Sequence, residues 1–217
     1  MSTTVRPYSP GEELANTITH GIGVLLSVAG LVLLVTFGAL WGDVWHVVSG
    51  AVFGVTLVLL YTASTLYHAV QQPEKKMLLR KFDHAGIFLL IAGTYTPFML
   101  VSLRGPWGWS LFGIVWGLGL VGMILKFRLA GRFRLLSTLV YLVMGWLVVI
   151  AIRPLTQALP VTGIRLLVAG GLCYTGGAVF YLAKRLPYHH AVWHVFVLAG
   201  SICHFLAVFG SVWPQPA

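Results

Sequence analysis

The sequence predicts an all-α polytopic membrane protein with seven transmembrane helices, and three observations carry that expectation. Of 217 residues, 58% are hydrophobic and only 9% charged, against roughly 25% charged in soluble domains; mean hydropathy is +0.89. The apolar residues gather into seven uninterrupted runs, each about the 20 residues that one bilayer crossing needs. Runs such as Val47 to Tyr67 stay apolar throughout, whereas the strands of a membrane β-barrel alternate apolar and polar positions.

In chain order the runs are Gly21 to Leu40, Val47 to Tyr67, Ala85 to Leu103, Trp107 to Leu125, Leu135 to Ile152, Leu166 to Ala183 and Ala191 to Trp213. Ahead of the first, Ser9-Pro10-Gly11-Glu12 reads as an N-cap, a proline at the first helical position and a capping-box glutamate. A helix therefore starts before the first run. Nothing there resembles a small-residue cleavage site, so the first run is expected to be an uncleaved helix. The connections leave no room for a soluble domain, and residues 1–217 are expected to form one seven-helix domain with 1–20 as its cytoplasmic lead-in. Trp41, Trp45, Trp107, Trp109 and Trp213 fall at predicted outer ends, as an interfacial aromatic belt requires. Pro97 predicts a kink, and Gly170-Gly171 and Gly176-Gly177 predict close helix packing.

Fourteen Lys and Arg stand against five acidic residues, for a net charge of +9. In a soluble protein that surplus would suggest nucleic acid. Here the basic residues lie in short connections between apolar runs, where membrane proteins carry their positive-inside signal, and no nucleic-acid partner is expected. Arg6, Lys75, Lys76, Arg80, Lys81, Lys126, Arg128, Arg132, Arg134, Lys184 and Arg185 share one side; Arg104, Arg153 and Arg165 hold the other. This segregation predicts a cytoplasmic N-terminus and an outside C-terminus. Cys173 and Cys203 fall inside apolar runs and are expected to be free thiols.

Ionisable residues in or beside membrane spans are costly and mark function. His20, Ser64, His68, Asp83, His84, His189, His190 and His194 all map to the cytoplasmic ends of the first, second, third and seventh spans. His46 lies at the outer end, and His204 is about 15 Å beyond His194 at 1.5 Å per helical residue. Ser64 and His68 are four apart, as are His190 and His194, and residues at that spacing share a helix face. Two imidazoles at i and i+4 can close on one metal ion. His68, His190 and His194 would leave a fourth position open, the arrangement zinc adopts when it keeps a water. No glutamate lies between His190 and His194, so a general base must come from another helix, and Asp83 is the candidate. A proton relay or a structural polar network is the alternative for the same residues. Glu13, Asn16, Thr17 and His20 form a stripe at i, i+3, i+4 and i+7. It either faces water on an interfacial helix or faces inward and caps the cluster.

Glu13-x2-Asn16-x3-His20, Ser64-x3-His68, Asp83 after a basic connection and His190-x3-His194 together resemble the hemolysin III family. This is the bacterial branch of the progestin and adipoQ receptor superfamily, which includes the adiponectin receptors. The resemblance runs from Glu12 to about Val212. Ser-x3-His, Asp and His-x3-His also mark the alkaline ceramidases. The resemblance implies zinc bound by His68, His190 and His194, with Asp83 and Ser64 around its water, in a seven-helix protein with a cytoplasmic N-terminus. It places the chain in the cell membrane, the inner membrane of a bacterium. His84 and His189, beside the motif positions, are alternative ligands. The sequence has no counterpart of the long soluble N-terminal segment of the animal receptors, which argues against a hormone-receptor role.

Two classes of function follow. In the first, a zinc-dependent hydrolase of a membrane-lipid amide or ester, zinc polarises the carbonyl and lowers the water pKa toward about 7, Asp83 takes the proton, and Ser64 orients the water or donates to the oxyanion. In the second, zinc staples helices in a non-catalytic, receptor-like regulator of membrane state. Family annotation leans to membrane lipid homeostasis, and the family name to cytolysis. Cytolysis ranks lower because spans two, four and six lack the polar stripe of a water-filled pore.

Overall fold

The computed structural model describes residues 8–129 and 133–214; Arg6 and Arg132, counted above for orientation, lie outside them. The described residues contain helices and no strand, and seven segments are long and apolar enough to cross a membrane.

Helix α1 (Pro10–Trp41) starts where the capping signals place it. The Ser9 backbone N–H donates to the Glu12 carboxylate at 2.7 Å and the Glu12 N–H to Ser9 Oγ at 3.3 Å, satisfying two otherwise open donors. Its buried face is Glu13, Asn16, His20, Gly23, Ser27, Gly30, Leu34 and Gly38, and the small residues Gly23, Ser27, Gly30 and Gly38 let a neighbouring backbone come close. Helix α2 (Val44–Ala69) lies against it and buries Phe53, Leu57, Leu60, Tyr61, Ser64 and His68 along one face. At Gly23 a Cβ would stand 2.3 Å from the Tyr61 ring, so that approach requires glycine.

Helix α3 (Pro73–Pro97) begins well before Ala85, and Lys75, Lys76, Arg80 and Lys81 are helical, not a loop as the apolar runs suggested. Just past Pro97 the backbone widens into a π turn over Phe98–Ser102, which is the irregularity the proline introduces. Helix α4 (Pro106–Leu129) follows.

The fifth span is not one helix. Helix α5 (Arg134–Trp146) passes through a 3-10 turn over Leu147–Ala151 into α6 (Ile152–Ala158), so Arg153 is helical and the span outlasts its predicted end at Ile152. Tyr95 supports the break. Its hydroxyl accepts from the Val148 N–H at 2.8 Å and lies 2.9 and 2.8 Å from the carbonyl oxygens of Met144 and Gly145. Irregular backbone inside a membrane needs such partners, because lipid supplies none.

Helices α7 (Val161–Leu182) and α8 (His189–Ser211) form a tight pair. Gly170 faces His204, and Gly177 faces Trp193 and Phe196, the close packing expected of these glycines. Trp41, Trp107 and Trp109 are exposed, as belt residues are, but Trp213 is 3% exposed. Its indole N–H donates to the Leu34 carbonyl at 2.8 Å, so it locks the end of α8 to α1 and is not part of a belt.

In the assembled bundle α1 contacts α2 and α8, α2 contacts α3, and α3 contacts α4. The third span is central, with 72% of its apolar stretch buried, against 17% for the fifth. The fifth span thus packs loosely against α3 and α7, and this looseness shapes the cleft described below.

Candidate metal centre

Four helices bring polar side chains together at the basic end of the bundle. The inward faces of α1, α2 and α8 supply Glu13, Asn16, His20, Ser64, His68, His190 and His194, and α3 adds Asp83; all are buried. One nitrogen from each of His68, His190 and His194 lies within 4.8 Å of the other two, near enough to hold one metal ion. The rings are 5.1, 5.1 and 4.6 Å apart between centroids.

The hydrogen bonds determine which ring atoms are free. His68 Nδ1 lies 2.6 Å from Glu13 Oε2 and 3.4 Å from the Asn16 side-chain amide nitrogen, while its Nε2 is buried without a partner. A carboxylate beside Nδ1 fixes the tautomer that protonates Nδ1 and leaves Nε2 as a lone-pair donor. Glu13 is itself held by Lys76 Nζ at 2.8 Å, which also donates to the carbonyls of Tyr67 and Val70 at 3.2 Å each. His194 Nδ1 lies 3.2 Å from both Thr19 Oγ1 and the Asn16 carbonyl oxygen. Both nitrogens of His190 are buried and unpartnered. Buried imidazole nitrogens are normally satisfied, so lone pairs converging from three helical positions match the donor set of zinc.

The other candidates surround this triad. The stripe on α1 faces inward at Glu13, Asn16 and His20. Thr17 bonds only its own helix, at the Glu13 carbonyl, and Thr19 is the threonine that reaches the site. His20 stacks on His194, with centroids 3.4 Å apart and rings 11° from parallel. Ser64 is fully buried one turn before His68, its hydroxyl unpartnered. Asp83 shares a small cavity with His20, His84, His190 and His194 and pairs with His84 at 3.5 Å. His84 Nδ1 is 2.7 Å from the Arg80 carbonyl. His189 Nδ1 turns away to the Phe180 carbonyl at 3.2 Å, and neither His84 nor His189 joins the triad. His46 and His204 lie away from it, His46 paired with Asp43 at 2.7 Å and His204 Nε2 3.1 Å from the Leu167 carbonyl.

Three contributors escape a reading of spacing alone. Thr19 lies one position off the stripe, Lys76 is hidden among other cations, and Tyr8 precedes the helix. The Tyr8 ring nonetheless lies 5.2 Å from His190, 5.9 Å from His68 and 6.0 Å from His189, covering the site at the chain's N-terminal side.

The small cavity does not end at the imidazoles. Leu60, Ile87, Tyr181, Trp193 and Val197 line it and also line a much larger cleft. That cleft, about 850 Å³ including its open mouth, runs between α3, α5, α7 and α8 past Leu90, Tyr141, Trp146 and Tyr174. Its walls are almost wholly apolar.

Residues 8–205 match the family described as Haemolysin-III related. The chain belongs to the hemolysin III family. Among hemolysin III proteins, the Hemolysin-3 homolog of Bacillus subtilis (strain 168) is 51% identical over 197 residues, spanning 91% of this chain and 92% of that protein. Hemolysin-3 of Bacillus cereus is 48% identical over 203 residues, spanning 94% and 93%. The human Monocyte to macrophage differentiation factor is 27% identical over 213 residues, spanning 94% and 86%, and extends the similarity into the progestin and adipoQ receptor superfamily. With seven apolar spans, this hemolysin III chain is an integral membrane protein.

Proposed function

We propose that this hemolysin III protein is a zinc-dependent hydrolase acting on an amide or ester of a membrane lipid. The observation that carries the proposal is the shared wall between the polar cavity and the apolar cleft: a lipid chain lying in the cleft brings its acyl carbonyl to Asp83, His190 and His194. Bound at the three imidazoles, zinc would supply Lewis-acid polarisation of that carbonyl.

The protein's own groups have separable tasks. Glu13 holds the proton on His68 Nδ1, and Lys76 anchors Glu13. The cleft walls bind the chain and exclude bulk water, which strengthens every polar interaction at the carbonyl. Asp83, outside the triad yet in the cavity beside His190 and His194, accepts the proton of the attacking water at its carboxylate and returns it to the leaving amine or alkoxide as the C–N or C–O bond breaks. Ser64, one turn from His68, donates its hydroxyl hydrogen to the developing oxyanion.

A structural zinc in a membrane-state regulator is the second reading, favoured by the bonds that tie α1, α2, α3 and α8 at one point through Asn16, Thr19, Glu13 and Lys76. Asp83→Asn separates the two. It keeps size and shape but cannot accept a proton, so the hydrolase reading expects zinc content to stay at the wild-type level while lipid-amide turnover falls on the order of 100-fold. No hydrolysis by wild type or variant across a ceramide and phospholipid panel, with an unaltered membrane phenotype in Asp83→Asn, would select the regulator.

A further inference from the structure

One cation at the basic end is not where a positive-inside residue belongs. Lys126, in the last turn of α4, is 7% exposed, and among the described residues the one hydrogen bond of its ammonium is from Nζ to the Ser137 hydroxyl at 2.8 Å. An ammonium carries three donors, and a buried charge is costly without a counter-charge. Among the described residues no carboxylate pairs with it. The site's two acidic residues are already engaged, Glu13 with His68 and Lys76, Asp83 with His84.

More positive charge surrounds Lys126. Arg134, one turn before Ser137 on α5, lays its guanidinium 3.9 Å from the Tyr181 ring centroid and donates to the Tyr181 carbonyl oxygen. Its Nε is buried and unpartnered. Through Ser137, three residues after Arg134, the Lys126 ammonium is held at the first turn of the helix that Arg134 opens. Helix α5 begins at Arg134 with no side chain among the described residues capping it, so its first-turn N–H groups add open donors and the positive end of the helix dipole. Positive-inside placement accounts for exposed cations such as Arg128; it does not account for a buried ammonium among other cations.

This cluster adjoins the apolar cleft. Tyr181, under the Arg134 guanidinium, lines the cleft, and so does Thr138, the neighbour of Ser137. Tyr141 lines it too and donates its hydroxyl hydrogen to the His84 carbonyl at 2.9 Å. An anion on the end of a chain lying in the cleft would face this cluster across Tyr181 and Thr138.

We propose that Lys126, Arg134 and the first turn of α5 form a binding site for a phosphate group, carried by a lipid whose acyl chain occupies the cleft. Phosphate offers the several acceptors and the charge that an arginine fork beside an ammonium can use together. The assignment narrows the substrate class from lipids in general to phosphate-bearing lipids, and in that respect it rests on the hydrolase reading. The anion site itself does not.

The test follows thermal unfolding of the full-length, delipidated protein in detergent with dioleoyl phosphatidic acid, with dioleoylglycerol, and with inorganic phosphate against chloride at matched ionic strength. In wild type, phosphatidic acid should raise the midpoint several degrees beyond dioleoylglycerol. That excess should vanish in Lys126→Met and Arg134→Gln, with apparent affinity down on the order of tenfold, while the dioleoylglycerol response stays the same in all three proteins. No excess in wild type, or an excess that survives both substitutions, overturns the proposal. Stabilisation by inorganic phosphate that phosphatidic acid does not exceed assigns the site to a free anion and overturns its lipid half. If neither lipid acts but inorganic phosphate does, the cleft reading fails and the anion site stands. Should Lys126→Met not fold, Arg134→Gln and Ser137→Ala carry the same comparison.

Discussion

Two regions of the bundle that meet at the basic end are packed by opposite rules. Between α1, α2 and α8, small residues admit close backbones and the helices that carry the histidine triad are cross-tied: Tyr61 fills the space over Gly23, Glu13 bonds His68, and Thr19 lies against His194. Between α5 and its neighbours α3, α7 and α8 the walls stand apart around a cleft, and the fifth span is broken near its middle. The difference separates two requirements of a site within the membrane. A metal triad needs rings fixed to a few tenths of an ångström, which only dense packing and outer hydrogen bonds provide. A lipid chain needs room, which a loosely packed span provides. His190 and His194 on α8 border both regions.

Substitutions can break this contrast. The largest effect is expected at Gly23: Gly23→Leu would drive a side chain into the Tyr61 ring and cost about 3 kcal/mol. Gly145→Ala, on the cleft side with nothing within 4 Å of its added carbon, should change stability by no more than about 1 kcal/mol, in the favourable direction. Denaturation of both variants in the same detergent measures the difference; equal losses would mean that the two regions are equally dense.

Next in size is Glu13→Gln. Removing the carboxylate beside His68 Nδ1 should weaken zinc binding about 10-fold to 100-fold, read by competition with a chelator, while the unfolding midpoint of the metal-free protein moves little. A smaller loss is expected for Tyr95→Phe. It strips the Val148 N–H and two carbonyls of their partner at the break in the fifth span, for about 1 to 2 kcal/mol, and hydrogen exchange at residues 144–148 should rise. Protection unchanged from wild type would show that the break does not depend on that hydroxyl.

What the sequence made legible follows from which forces are local. The seven spans are written in run length, the start of α1 in Ser9, Pro10 and Glu12, and a single polar stripe, though not the direction it faces, in the spacing of Glu13, Asn16 and His20. His-x3-His works the same way, since helical phase alone puts His190 and His194 on one face. Features set by tertiary contact were not legible. Thr19 reaches His194 only because α1 leans against α8, and Trp213 is buried because Leu34 offers it a carbonyl, although by position it resembled an interfacial tryptophan. The break after Trp146 lies in an unremarkable apolar run with its partner, Tyr95, far away in the chain. The cleft belongs to no element and exists only between them.

His68, His190 and His194, and not their neighbours, are proposed to hold one metal ion. Elemental analysis of purified wild type, His190→Ala, His194→Ala and His189→Ala tests it most directly. One zinc per chain is expected in wild type and in His189→Ala, with most of the metal gone from His190→Ala and His194→Ala, since an incomplete ligand set binds poorly. Full zinc occupancy in His190→Ala or His194→Ala, or its loss from His189→Ala alone, would contradict the assignment.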